Sequence, residues 1–214
     1  MTWQHFLNSI FLGDAKTIGF VKRLVGYIAS GEKEEQVIPI IYGPGCNGKT
    51  TFIDALQGAM GKELILGGNS IWPTVSGPKR RHDLMCLQGA RALIFTPSRS
   101  QNNQDFSSRL KSLASDVNIV ARGPLNTGPV LFPNTVTPVL VVNEIPDAFF
   151  RNKALGARAV VIPFVARFTD QQRNLTFSPD VVRSWIAEGM TAWQASGLKV
   201  PVANRIAAFG KRAA

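Results

Sequence analysis

The apolar run Val37-Ile38-Pro39-Ile40-Ile41-Tyr42 leads directly into Gly43-Pro44-Gly45-Cys46-Asn47-Gly48-Lys49-Thr50-Thr51. This order constrains the fold more than any other stretch. A buried strand must end in a glycine-rich turn, and a helix must begin inside that turn. The segment fits the pattern GxxxxGK[ST] in full, with Gly43, Gly48, Lys49 and Thr50 at the fixed places. In such a turn successive backbone N–H groups converge and form an anion-binding nest. The N-terminus of the following helix adds partial positive charge. The ligand class this points to is a nucleoside triphosphate with magnesium. Gly43, Pro44, Gly45, Cys46, Asn47, Gly48, Lys49, Thr50 and Thr51 would surround the phosphates. Lys49 would reach the β- and γ-phosphates, and the Thr50 hydroxyl would sit on Mg²⁺.

The rest of the chain alternates helical and strand patterns. Residues 3–12 place Trp3, Phe6, Leu7, Ile10 and Phe11 at helical spacing, and Gly13 stops that helix. Residues 15–30 repeat the pattern with Ile18, Val21, Val25 and Ile28, and Asp14 is the expected cap. These two helices read as a lid on the sheet. After the loop, residues 51–60 read as a helix ending at Gly61. Buried strands are expected at 91–96, 137–143 and 159–164, and a helix at 106–114. Residues 117–120 and 130–132 read as the arms of a β-hairpin. A last helix spans 178–194, capped by Ser178 with Pro179 at its first position. Strands alternating with helices predict an α/β fold, a parallel sheet with helices on both faces. The predicted organisation is a helical segment at 1–36, a core at 37–177, and a helix with a basic tail at 178–214.

Composition narrows the setting. No stretch of eighteen apolar residues is present, so no membrane span is expected. Met1-Thr2-Trp3-Gln4-His5 lacks the basic start and apolar stretch of a signal peptide. Cys46 and Cys86 are too few for a disulfide framework or a zinc site, and a reducing cytoplasmic setting is expected. Residues 1–78 hold six basic and six acidic groups; residues 79–214 carry the whole net charge of +10. A one-sided basic excess suits a polyanion such as nucleic acid. Lys79-Arg80-Arg81-His82 is either a solvated face or a phosphate contact.

The order of motifs resembles the superfamily III helicases, in particular the AAA+ domain of phage- and plasmid-type primase-helicases related to the poxvirus primase-helicase. The resemblance runs from Leu24 to Leu198. It rests on Leu24–Gly31 leading into the loop, and on the loop itself, in which Asn47 precedes Gly-Lys. Further matching stretches are Asp83–Phe95, Leu110–Arg122, Val141-Val-Asn143-Glu-Ile-Pro146, Ala157–Phe164 and Trp185–Leu198. It implies an AAA+ P-loop ATPase that binds ATP and Mg²⁺ and acts as a homo-oligomeric ring. Its partner would be single-stranded or forked DNA during replication of a phage, plasmid or related element, in the host cytoplasm if viral. Asn143 would orient the attacking water, and Arg158 would act in trans on a neighbouring subunit's nucleotide. The hairpin would face DNA, with Lys111 and Arg122 at its flanks and Phe132 as a nearby stacking ring.

Two family features are absent: the hairpin tip, Pro124-Leu-Asn-Thr-Gly-Pro129, carries no lysine or histidine to grip a DNA backbone, and an acid is missing from the catalytic site. The second core strand ends Phe95-Thr96-Pro97-Ser98-Arg99, where the family carries an acid. Thr96 and Ser98 hydrogen-bond water but are no general base near neutral pH. Asp105 and Glu144 are the candidate substitutes, and Asp54 is expected to be out of reach. ATP binding with impaired turnover is therefore expected unless Asp105 or Glu144 replaces the missing acid. The alternatives are a nucleotide-gated DNA-binding assembly module without turnover, or a small-molecule P-loop kinase. A kinase leaves Asn143 and Arg158 without a purpose.

Overall fold

The structure is a computed structural model that describes residues 1–67, 84–97, 104–122, 128–168 and 175–209. The Lys79–His82 run, the hairpin tip at 124–127, the tail at 210–214 and the side chains of Asp105 and Arg122 lie outside the described residues. Seven strands are described: β1 (Ile38–Tyr42), β2 (Leu64–Gly67), β3 (Ala92–Phe95), β4 (Asn118–Arg122), β5 (Pro129–Pro133), β6 (Thr137–Val142) and β7 (Ala159–Pro163). The helices are α1 (Trp3–Ile10), α2 (Ala15–Ser30), α3 (Lys49–Met60), α4 (Gln104–Ser115), α5 (Ala148–Arg151), α6 (Lys153–Arg158) and α7 (Pro179–Ser196).

Five strands form one parallel sheet in the order β2-β3-β6-β1-β7. Both faces of a parallel sheet are covered, so its strands read as continuous apolar runs. Alternation along each strand divides the core in two. Ile41, Ile94, Val139, Val160 and Ile162 face α1, α2, α3 and α7. Ile38, Ile40, Leu93, Phe95, Leu140 and Val161 face α4, α5 and α6. Strand β1 lies between β6 and the edge strand β7; the chain leaves it first for the far edge at β2 and last crosses it to β7. In open α/β sheets such a switch point opens a crevice at the carboxyl ends of the strands.

Helix ends follow the expected chemistry in part. The Asp14 carboxylate accepts from Lys16 N–H at 3.0 Å and from the Thr17 hydroxyl at 2.7 Å, which opens α2. Thr2 does the same for α1, accepting from His5 N–H at 3.2 Å. α7 begins at Pro179 as expected, but the Ser178 side chain makes no cap hydrogen bond. The first turn of α7 is held instead by an Asp180–Arg183 ion pair and by Arg183 donating to the Ala59 carbonyl at 3.3 Å. The two long helices α2 and α7 cross backbone to backbone at Gly26 and Gly189.

Strand β2 is absent from the sequence reading. It is a four-residue edge strand with one buried residue, Leu64. The run Leu64-Ile65-Leu66 between Glu63 and the Gly67-Gly68 pair is the signal that marks it. The hairpin arms are confirmed as antiparallel β4 and β5, with Val120 opposite Leu131 and Ile119 opposite Phe132. Its roots are pinned by polar groups. Lys33 Nζ donates to the Leu113 carbonyl at 2.6 Å and to the Val136 carbonyl. The buried Asn134 side chain donates to the Leu113 carbonyl at 3.0 Å and the Asp116 carbonyl at 2.8 Å.

Candidate functional site

The loop sits at the carboxyl end of β1 and opens into a cleft of about 700 Å³. Gly43 leaves the strand with its N–H on the Val142 carbonyl at 3.2 Å, so the loop starts tied to β6. Gly43 adopts φ +157 and Gly48 φ +85, both unfavourable for residues with a Cβ. Space matters as much as angle at these positions. A Cβ on Gly43 would lie 2.3 Å from the Phe164 carbonyl oxygen, and one on Gly48 would lie 2.9 Å from Ile10. Cys46 is also left-handed, at φ +61, and its carbonyl accepts from Phe168 N–H at 2.9 Å.

Lys49 is buried, and its ammonium is surrounded by oxygen. It donates to the Gly43 carbonyl at 2.5 Å and to the Pro44 carbonyl, Asn47 Oδ1 and Asn143 Oδ1 at 3.1 Å each. Three N–H donors thus face four acceptors. Burial pushes the Lys49 pKa below the usual lysine range, opposed by the nearby Cys46. Asn47 is 1% exposed and donates to the Phe164 carbonyl at 2.9 Å, fastening the loop to the segment after β7. Lys49 therefore joins the loop to Asn143, just past the end of β6. Of the predicted catalytic residues, Lys49 and Asn143 come together here.

Arg158 does not join them. It ends α6 at the amino end of β7, whereas the loop lies at the carboxyl end of the parallel β1. Roughly 13 Å of strand separates the two ends, more than an arginine side chain spans. Its guanidinium donates to Ser115 Oγ at 3.0 Å, the Ala154 carbonyl at 3.0 Å and Gln36 Oε1 at 3.2 Å. From there its side chain does not reach the loop of the same chain.

The cleft is also lined by Thr50, Thr51 and Asp54 of α3. Asp54, expected to be out of reach, lies one turn beyond Thr50 on the same exposed helix face and lines the cleft. Glu144 is exposed beyond β6, and the carboxyl end of β3 carries Thr96 and Pro97. The wall opposite α3 escaped the sequence reading. It is built by Phe6, Phe168, Leu175, Thr176 and Phe177, from segments far apart in the chain. Phe6 and Phe168 stack at 6.3 Å and 24°, and Trp3 backs Phe177 at 5.2 Å. Helix α1 thus does more than cover the sheet, since it supplies part of the cleft.

The predicted DNA-facing residues lie elsewhere. Lys111 is half-buried on α4, and Arg122 ends β4 opposite Pro129. Phe132 is not a stacking ring: it is 4% exposed and packs into the core with Ile119. Val120 and Leu131 occupy the outer face instead.

The residues present fit a metal-bound nucleotide. The Thr50 side chain is exposed at the cleft, beside a nest of backbone N–H groups and a buried cation. Among the described residues no cluster of His, Cys, Asp or Glu holds a metal by itself.

The described strands, their order and the loop decide the fold. It is P-loop NTPase-like. Solved structures agree. The apo C-terminal region of NrS-1 matches with a TM-score of 0.62 at 16% identity, over 97% of this chain and 50% of that one. The A form of the same region matches with a TM-score of 0.60 at 20% identity, over 92% and 45%. The chain spans about half the length of these neighbours. No known protein family and no curated protein matches the sequence. No described helix is long and apolar enough to cross a membrane.

Proposed function

We propose that this chain is an ATP-binding AAA+ domain of the superfamily III helicase type, acting on DNA in replication of a phage, plasmid or related element. One observation carries the reading: a complete phosphate loop at the carboxyl end of β1, its lysine hydrogen-bonded to Asn143 at the end of β6. The Lys49 ammonium and the loop N–H groups bind and orient the triphosphate. The Thr50 hydroxyl would hold Mg²⁺, which would supply neutralisation of the phosphate charge. Asn143, released from Lys49, turns its amide toward the γ-phosphate and orients water there. Arg158 serves a neighbouring subunit, which requires a head-to-tail assembly that closes into a ring. The one-sided basic charge supports a nucleic-acid partner.

Hydrolysis is slow in this reading, because β3 ends in Thr96-Pro97. That same observation favours a second reading, a nucleotide-gated DNA-binding assembly that does not turn over. A Mg-ATPase assay with and without single-stranded DNA separates the two. DNA-stimulated turnover that Lys49→Ala abolishes supports the enzyme; tight ATP binding without turnover supports the module. Absence of ATP binding to the wild-type chain refutes both.

A further inference from the structure

The cleft does not end at the phosphate loop. Thr50, Asp54 and Gly58 recur four residues apart along α3, all exposed, and all line it. Eight residues of helix extend about 12 Å. A triphosphate bound at the loop takes up the N-terminal turn of α3, where the nest and the helix dipole act. The remaining length matches a nucleoside. Phe6 and Phe168 lie against Gly48 at the loop, and the rest of the lining is Leu175, Thr176 and Phe177, apolar with one hydroxyl. Beyond Asp54 the helix face is bare: a Cβ on Gly58 would meet only Pro179 Cγ, at 4.0 Å.

Asp54 is the one carboxylate among the described lining residues. An ionised carboxylate only accepts hydrogen bonds, and it repels phosphate oxygens. It pairs with a hydrogen-bond donor, either a metal-bound water or a neutral group of the ligand, and it lies one helical turn, about 5–6 Å, from Thr50. In a nucleoside triphosphate whose β- and γ-phosphates lie by Thr50, the α-phosphate comes next along the chain, and the neutral donors beyond it are the sugar hydroxyls. We propose that Asp54 accepts hydrogen bonds from the ribose hydroxyls, so that the site selects ribonucleotides over deoxyribonucleotides. This rests on the nucleotide-binding reading above and adds the sugar to it.

The test is calorimetric titration of the full chain with the Mg²⁺ complexes of ATP, 2′-deoxy-ATP, 3′-deoxy-ATP and 2′,3′-dideoxy-ATP. Wild type and Asp54→Ala are compared, with Lys49→Ala as the phosphate control. Asp54 is exposed, so its replacement leaves the core intact. The wild-type chain is expected to bind ATP at least about tenfold more tightly than the dideoxy compound, the scale of a charge-assisted hydrogen bond. Asp54→Ala is expected to lower ATP affinity to the dideoxy level and leave dideoxy-ATP unchanged. Equal wild-type affinities for all four, or equal weakening of all four by Asp54→Ala, overturns the ribose assignment alone. Failure of the wild-type chain to bind any of them overturns the nucleotide reading and this assignment with it.

Discussion

Replacing Gly26 by alanine tests how the helical layer that carries the cleft wall is built. A Cβ on Gly26 would lie 2.1 Å from Met190 N and 2.2 Å from the Gly189 carbonyl carbon. The reciprocal contact is as close, since a Cβ on Gly189 would lie 2.1 Å from the Lys22 carbonyl oxygen. Carbon contacts settle near 3.5–4.0 Å, so α2 and α7 must separate locally by roughly 1.5 Å. The obstacle is backbone on a regular helix, which has no rotamer to change. Overpacking of this kind costs about 1–3 kcal/mol, and the upper end applies here. Alanine returns about 1 kcal/mol of helix propensity. The net loss is about 2 kcal/mol, or roughly 4–8 °C in Tm for a chain of this size. Gly19→Ala is the internal control: it lies on the same helix, with only an arginine side chain 3.8 Å away. It is expected to be neutral or to gain up to about 1 kcal/mol. Thermal unfolding followed by circular dichroism reads both. The shift also reaches the cleft, because Trp185 of α7 packs edge-on against Trp3 at 5.5 Å, and Trp3 backs Phe177. Nucleotide affinity is therefore expected to fall in Gly26→Ala and not in Gly19→Ala. Equal stability of the two variants would refute close backbone packing of α2 on α7.

Three further outcomes follow from the geometry. Asn47→Ala strands the Phe164 carbonyl and removes one Lys49 acceptor; a loss of about 1–3 kcal/mol is expected in urea unfolding, with weaker ATP binding in titration. Burial pushes the Lys33 pKa down to about 8, against the pull of Asp116. Between that value and its ordinary one near 10.5 the unfolded chain holds a proton the folded chain lacks, so stability rises with pH across the window, by up to about 3 kcal/mol. Urea midpoints at pH 7 and 9.5 should show that rise in wild type and lose it in Lys33→Met. Arg158→Ala is expected to cut steady-state turnover by roughly 10³-fold, the scale of an arginine supplied in trans, while titration shows nucleotide affinity unchanged. An equal loss of affinity would argue against action on a neighbour.

Local chemistry was legible in the sequence, and spatial assembly was not. The strand–loop–helix at 38–60 could be read directly because only one backbone path satisfies an apolar run, three glycines and a Lys-Thr helix start. Ala15–Ser30 was readable from Asp14 and Gly31 at its ends. Strand order was hidden, since placing β6 between β1 and β3 depends on packing of both sheet faces. The cleft wall was hidden for the same reason. Phe6, Phe168 and Phe177 each look like ordinary core aromatics, and only the fold brings them to one side of α3. Phe132 shows the converse error: alternation along the hairpin turns it inward, and the sequence alone does not set that register. Asp54 was legible in principle, because a residue four positions after Thr50 must share its helix face.

The opposed placement of the loop and Arg158 has a consequence for mixtures of damaged subunits. Under the proposed reading each subunit carries a receiving end and a donating end, and a defect at one leaves the other intact. Pure Lys49→Ala and pure Arg158→Ala preparations should both be inert. Mixed in equal amounts, roughly a quarter of head-to-tail junctions would pair a sound loop with a sound arginine. Two dead proteins would then make a partly live one, and the recovered rate would count junctions instead of molecules.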